Sequence, residues 1–339
     1  MKKYNVAVVG ATGAVGSVML SILHERKFPV ENVYALASAN SVNKSVLFGN
    51  KKLKVQDLSE FDFSKADIAL FSAGASVSSV YAPKAGNSGC VVIDNTSFFR
   101  REEDIPLVVP EVNPEQLKNF KPRNIIANPN CSTIQMLVAL APIHREATIS
   151  RINVATYQSV SGAGQQGIDE LSKQTTSLFN FQELKPKVFS KDIAFNVIPQ
   201  IDQFQDNGYT KEEMKMIWET QKILDKNILV NPTCVRVPVF YGHSEAVHIE
   251  TVKPITVEKV KQLLKSAPGV ELLDNPEKME FPTPKVNCAG NDPVYVGRIR
   301  KDISIENGIN LWIVSDNIRK GAALNSVQIA EEMIKMQLI

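Results

Sequence analysis

No stretch of this chain is apolar for long enough to span a bilayer, and no two of its four cysteines form a C-x-x-C pair. The first absence excludes a membrane span. The second leaves Cys90, Cys131, Cys234 and Cys288 without a recognisable metal spacing, so no metal is expected and the four read as reduced thiols. Charge of one sign is not in surplus either. Lys and Arg number 38 against 36 Asp and Glu, a net charge of +2, which gives nucleic acid nothing to bind. An anion site must therefore come from a few placed residues. Internal repeats and low-complexity tracts are missing. The opening Met1-Lys2-Lys3 superficially resembles a leader, but the apolar run Val6–Val9 behind it is short and ends in a glycine-punctuated turn. Its removal would delete a core strand, so a cytoplasmic protein is expected.

The chain has 339 residues, too long for one ordinary core and suited to two domains. The first part alternates strand and helix patterns. Apolar runs at 4–9, 32–37, 67–71 and 90–93 read as strands, and the helical spacing of Val15, Val18, Met19, Ile22 and Leu23 predicts a helix over 14–26. Repeated strand–helix–strand units imply a doubly wound parallel sheet. After Arg151 longer, alternating strands are expected at 152–157, 233–241 and 246–251, with helices at 166–178, 211–224 and 257–265. That pattern suggests a mostly antiparallel sheet with one covered face. The amphipathic helix 321–336 is expected to return to the first domain, and 202–210 reads as a loop. The expected division is 1–129 plus 318–339 for the first domain, and 130–317 for the second.

Gly10-Ala11-Thr12-Gly13-Ala14-Val15-Gly16 lies between the first strand and first helix, a G-x-x-G-x-x-G variant of the dinucleotide fingerprint. Gly10 allows the tight turn, Gly13 lets backbone approach a pyrophosphate, and Gly16 lets the helix pack close. The helix N-terminus then offers free N–H groups to phosphate. Thr12, Ala14 and Val15 complete the loop. No acid follows the second strand, where Ala37-Ser38-Ala39-Asn40-Ser41 stands, and a pocket of Ser38, Asn40 and Ser41 admits a 2′-phosphate. NADP is therefore preferred to NAD. A second small-residue turn, with Ser72 and Gly74, follows the strand at 67–71 and suits the nicotinamide end. Asn40 and Lys44 are equally readable as ordinary loop residues.

Asn128-Pro129-Asn130-Cys131-Ser132-Thr133 precedes an apolar helix. Cys131 thus stands at a helix N-terminus, which favours thiolate and offers N–H groups to an oxyanion, while Asn130 is placed to cap. Cys90, Cys234 and Cys288 read as small core or loop residues. Of four histidines, His24 reads as surface and His144 as a helix-end cation. His248 sits on the strand face opposite His243. His243, after Tyr241-Gly242, is the best general acid/base. Arg236 alternates with small or apolar Cys234 and Pro238, so on that face it needs an anionic partner.

Taken in order, GATGAVG, NPNCST around Cys131, YQSVSGAG (157–164), EEMKM (212–216), VRVPVFYGHSEAVHIE (235–250) and DNIRKGAA (316–323) make the chain resemble aspartate-semialdehyde dehydrogenases nearly end to end. The resemblance implies a fold like that of glyceraldehyde-3-phosphate dehydrogenase and a homodimer formed through the second domain. It also implies the reversible, NADPH-dependent conversion of 4-phospho-L-aspartate to L-aspartate 4-semialdehyde and phosphate. That step leads to lysine (via diaminopimelate), threonine, methionine and isoleucine. The reaction would run through a thioester on Cys131. His243 would be the acid/base and Gln158 would orient the substrate beside Asn130 and Cys131. Arg236 would hold a substrate carboxylate, Glu212 its ammonium, and Lys215 with Arg100 the phosphate. Ser161, Gly162 and Asn317 would be cofactor contacts. Without the family, Glu212 and Lys215 read as an i,i+3 surface ion pair and Arg100 as a solvated cation. In such enzymes Ala-Ser-Ala-Arg-Ser is common where this chain has Asn40, so the charge for a 2′-phosphate is missing. The polar loop 43–52 offers a substitute.

Two thioester-forming relatives are enzyme rivals: N-acetylglutamyl-phosphate reductase and glyceraldehyde-3-phosphate dehydrogenase, whose cysteine motifs differ. A dinucleotide sensor would dispense with the nucleophile, and a cysteine hydrolase with the glycine loop.

Overall fold

The computed structural model describes residues 2–182 and 185–339; Met1, where the leader-like opening begins, lies outside them, as do Glu183 and Leu184. Two compact units emerge, one of residues 1–129 with 322–339, the other of 130–321.

The first unit begins with β1 (Tyr4–Val9), α1 (Ala14–Glu25), β2 (Val30–Ala37), β3 (Ser45–Phe48), β4 (Lys51–Asp57), β5 (Ile68–Phe71), α2 (Ala75–Asn87), β6 (Val91–Asp94) and β7 (Ile125–Ala127). The strands lie in the order β3-β4-β2-β1-β5-β6-β7. Every pairing is parallel except the β3–β4 hairpin at one edge. β5 and the Val6–Val9 part of β1 are continuous apolar runs because both faces are covered. Chain direction across the sheet reverses between β1 and β5, the place where such sheets open a crevice at their strand ends. The loop expected at 43–52 is mostly this hairpin. Exposed Lys51 and Lys52, at the start of β4, disguised it in the sequence.

The second unit contains α3 (Cys131–Ala147), β8 (Ile149–Gln158), α4 (Gly164–Phe179), α5 (Lys211–Ile223), β9 (Leu229–Arg236), β10 (His243–Thr251), α6 (Val257–Ser266), β11 (Val270–Leu272), β12 (Val294–Lys301) and β13 (Gly308–Ser315). Its sheet runs β11-β12-β13-β10-β8-β9. The three inner pairings are antiparallel, while β8–β9 and β11–β12 are parallel. The sheet is mixed with an antiparallel majority, as the alternation suggested. α3 packs on one face and is buried along most of its length. On the other face Asn153, Ala155, Ala246 and His248 are half-buried and Tyr157 is exposed.

Two strand boundaries differ from expectation. The strand expected at 233–241 runs from Leu229 to Arg236, because Pro238 has no N–H for the ladder and Gly242, at φ +90°, turns the chain. The strand expected from 246 starts at His243, directly after that turn. The terminal helix, α7 (Leu324–Lys335), belongs to the first unit and packs on α1, where Arg26 donates to both Glu331 carboxylate oxygens at 2.8 and 2.7 Å.

Candidate active site

Cys131 is the first residue of α3, and Asn130 caps that helix by accepting from the Ser132 and Thr133 N–H groups at 3.0 and 3.3 Å. Two acids of α5 hold the cap in turn. The Asn130 Nδ2 donates to Glu212 Oε1 at 2.8 Å, and its backbone N–H donates to Glu219 Oε2 at 2.6 Å. The turn before the thiol is therefore clamped from below, so the thiol position is set by packing and not by its own rotamer alone. Cys131 is partly exposed while the other three cysteines are buried. Burial pushes the Cys90 and Cys288 thiols up to about 12 and raises that of Cys234 as well. They are inert at neutral pH, which leaves Cys131 as the cysteine suited to nucleophilic work.

Glu212 is 5% exposed, so its ion pair with Lys215 at 3.0 Å is a buried one, not a solvated surface pair. Lys215 also reaches Asp202 at 2.9 Å. Burial alone would raise the Glu212 carboxyl. The Lys215 ammonium, the Asn130 amide and Arg236 outweigh it and hold the group down at about 2. Glu212 is thus a fixed negative charge beside the thiol-bearing helix end.

Gln158 ends β8 and pairs in register with Arg236 at the end of β9. Its Nε2 lies 2.9 Å from Ser132 Oγ and 3.4 Å from Glu212 Oε1. Arg236 is 6% exposed and donates to the Ser159 carbonyl at 2.7 Å. Burial lowers its basicity, opposed by the charges of Glu212 and Cys131. This short reach of electrostatic influence ties the guanidinium to the thiol and carboxylate in one cluster.

His243 opens β10 and is fully buried. Its Nδ1 accepts the Ser159 N–H at 3.1 Å, so the neutral ring carries its proton on Nε2. Burial and the Arg236 charge hold the ring down at about 3, against the pull of Glu212. Nε2 is buried with no partner among the described residues. A Cβ on Gly162 would stand 3.4 Å from that nitrogen and 2.8 Å from Arg236 Nη1. Glycine at 162 therefore keeps open the space that both side chains face. Glycine at 321 does the same for the thiol, since a Cβ there would lie 2.7 Å from that of Cys131.

Ser159, Ser161 and Asn317 support this turn. Asn317 Oδ1 accepts from Gly242 N at 3.0 Å and from Ser159 Oγ at 3.0 Å, and its Nδ2 donates to Ser161 Oγ at 3.0 Å. The Asn317 amide is committed inside the second unit, where it fixes the approach to His243.

The first unit carries the dinucleotide loop. Gly10 has φ +87°, and a Cβ on it would meet the Ser72–Ala73 backbone at 3.0 Å, so the turns after β1 and β5 touch. A Cβ on Gly16 would lie 2.2 Å from the Gly10 carbonyl oxygen. α1 has no side-chain cap and no acid in its first turn. Free N–H groups at a glycine-built switch point fit a pyrophosphate. Thr12, Gly13 and Gly74 are exposed, Ala14, Val15 and Ser72 half-buried. Ser38 and Asn40 are exposed and Ser41 half-buried, in and before a short 3-10 turn (Ala39–Ser41) after β2. Arg100 is 9% exposed and donates to the Asn95 carbonyl at 3.0 Å, so it is not the solvated cation its sequence position also allowed.

The structure brings Asn130, Cys131, Gln158, Ser161, Gly162, Glu212, Lys215, Arg236, His243 and Asn317 into the second unit, and places Arg100 and the loop residues in the first. Sequence reasoning missed Glu219 and Ser159. Glu219 had one signal: on α5 it lies seven residues after Glu212, on the same helix face. Ser159 meets Arg236 and His243 through its backbone, which leaves no sequence signal, and Asn317 through its hydroxyl.

The chain is similar to known proteins along its whole length. Residues 5–120 match a family described as the NAD binding domain of semialdehyde dehydrogenase, and residues 140–320 match its dimerisation domain. An aspartate-semialdehyde dehydrogenase from Shewanella sp. (strain DB6705) is 61% identical over 335 residues, 98% of each chain. A crystal structure of aspartate semialdehyde dehydrogenase II from Vibrio cholerae, complexed with ASA, is 59% identical, covers 99% of each chain and superposes with a TM-score of 0.97. The enzyme of Candida albicans, crystallised with NADP, is 26% identical over the whole of both chains with a TM-score of 0.79.

Proposed function

The chain belongs to the aspartate-semialdehyde dehydrogenase family, an oxidoreductase family acting on an aldehyde group, and from that premise we propose a thioester mechanism centred on Cys131. The observation that carries it is the capped N-terminus of α3, which sets Cys131 at the amide-rich end of a helix within the electrostatic reach of Arg236.

In the reductive direction Cys131 Sγ bonds to the acyl carbon of 4-phospho-L-aspartate. The bond from carbon to the phosphate oxygen breaks, and phosphate leaves with the electron pair. The Nε2–H of His243, which has no partner among the described residues, hydrogen-bonds the oxygen that becomes negative at the tetrahedral stage, and the positive end of the α3 dipole favours that charge. When bound, NADPH supplies the hydride that reduces the thioester carbon. His243 holds its proton toward the resulting oxyanion, the carbon–sulfur bond breaks, and L-aspartate 4-semialdehyde departs as Cys131 returns to thiolate. The reaction serves lysine, threonine, methionine and isoleucine synthesis.

Arg236 grips the substrate carboxylate in the fork geometry that suits it. Glu212, ionised throughout the neutral range, faces the ammonium. Lys215 and Arg100 take the phosphate, and Gln158 with Asn130 orients the acyl group. Gly10, Thr12, Gly13, Ala14 and Val15 hold the pyrophosphate. Ser72 and Gly74 admit the nicotinamide; Ser161, Gly162 and Asn317 are the cofactor contacts of the second unit. Ser38, Asn40 and Ser41, with no acid among them, leave room for a 2′-phosphate, so NADP is the cofactor. The half-open face of the second sheet is the surface of a homodimer. No described helix is long and apolar enough to cross a membrane, and the thiols suit the cytoplasm.

Absorbance of the reduced nicotinamide, followed with aspartate semialdehyde, phosphate and NADP+, tests the reading. NADPH formation that needs phosphate and vanishes in Cys131→Ser is expected. Activity with NAD+ alone would overturn the cofactor and point to Asn40. Inactivity of folded protein with both would overturn the substrate.

A further inference from the structure

α3 and β10 carry a second layer directly behind the cysteine and histidine. Gln135 stands four residues after Cys131, one turn further along the same helix face. Glu245 stands two residues after His243 on the same face of β10. Both are 0% exposed. Gln135 Nε2 donates to the His243 carbonyl at 3.4 Å. Gln135 Oε1 is buried with no hydrogen-bond partner among the described residues, and neither oxygen of Glu245 has one. Burial lifts the Glu245 carboxyl well above its ordinary value, and the Gln135 amide, acting as a donor toward the carboxylate, opposes this. An ionised Glu245 would be a buried charge with no ion-pair partner among the described residues. A protonated one carries no charge to desolvate and can still accept from the Gln135 amide.

We propose that Glu245 and Gln135 are positioning residues for the Cys131 chemistry. The Gln135 amide links the neutral Glu245 carboxyl to the His243 carbonyl, which fixes the start of β10 against the first turns of α3. The role of the pair rests on Cys131 and His243 being the reacting residues; its hydrogen bonding does not.

Three variants and one spectrum test it. Glu245→Gln keeps the shape and an acceptor and carries no charge, so its kcat stays within about twofold of wild type. Glu245→Leu and Gln135→Met each remove half of the link and lower kcat about tenfold or more, with KM for the acyl phosphate little changed. Equal loss in Glu245→Gln and Glu245→Leu would overturn the proposal, since charge would then be what matters. Full kcat in Gln135→Met would overturn it too, and that variant decides the matter if Glu245→Leu does not fold. Independently of turnover, the infrared difference between wild type and Glu245→Gln at neutral pH shows a protonated-carboxyl band. A carboxylate band in its place would overturn the proposal even if the substrate assignment stands, and the protonated band would survive if that assignment falls.

Discussion

The two units make their sites from different material. The glycine loop of the first unit presents backbone: an uncapped helix end, a left-handed Gly10 and close contacts that a Cβ would fill. Around Cys131 the second unit presents side chains, nearly all buried and each held by a neighbour: the Asn130 amide by Glu212, and the Arg236 guanidinium and the His243 ring by the Ser159 backbone. A pyrophosphate is large and doubly charged, so a few N–H groups and space suffice to hold it. An acyl carbon must be met within a fraction of an ångström, which takes rigid, interlocked side chains.

If that contrast is real, side-chain changes cost most in the second unit. Cys131→Ser should remove phosphate-dependent NADPH formation by more than about a thousandfold without loss of folding. Arg236→Lys keeps the charge and loses the fork, and KM for the semialdehyde should rise about a hundredfold with a smaller change in kcat. Similar effects from conservative changes at Ser38 or Ser41 would break the comparison.

Glu212→Gln should cost about 2–3 kcal/mol of unfolding free energy at neutral pH by denaturant titration, since Lys215 is left with Asp202 alone as its close carboxylate partner. The pH dependence has a definite sign. Glu212, held at about 2 against an ordinary 4.5, adds stability above 4.5 that is lost as pH falls towards 2. His243, held at about 3 against 6.5, refuses a proton that the unfolded chain accepts, so stability also falls between 6.5 and 3. Unfolding of His243→Asn should lose the upper part of this slope and keep the lower.

In the first unit Gly16→Ala should weaken NADPH binding, because its Cβ would stand against the Gly10 carbonyl and displace the loop. The smallest effect belongs to Asn40→Arg, an exposed position where an added guanidinium should improve NADPH over NADH by about fivefold, the reach of roughly 1 kcal/mol. An equal change for both cofactors would show that residue 40 does not face the 2′-phosphate.

The same contrast explains what was legible in the sequence. A backbone site depends on glycine spacing over seven residues, and spacing is visible. The cap-and-thiol motif was visible for the same reason, being local. The clamp beneath it was not: Asn130 meets Glu212 across 82 residues and Glu219 across 89. A family resemblance supplied Glu212 and Lys215, while residue pattern alone favoured a surface pair. The β3–β4 hairpin hid behind its exposed lysines, and β9 seemed longer than it is because apolar Val237 and Val239 continue the alternation past the point where Pro238 ends the ladder.

The thioester is the central claim, and phosphate release without any nicotinamide tests it most directly. Wild-type enzyme mixed rapidly with 4-phospho-L-aspartate should release a burst of phosphate, one per active site, and intact-protein mass should show the acyl group on Cys131. A burst that persists in Cys131→Ser, or no release until NADPH is added, would contradict the account.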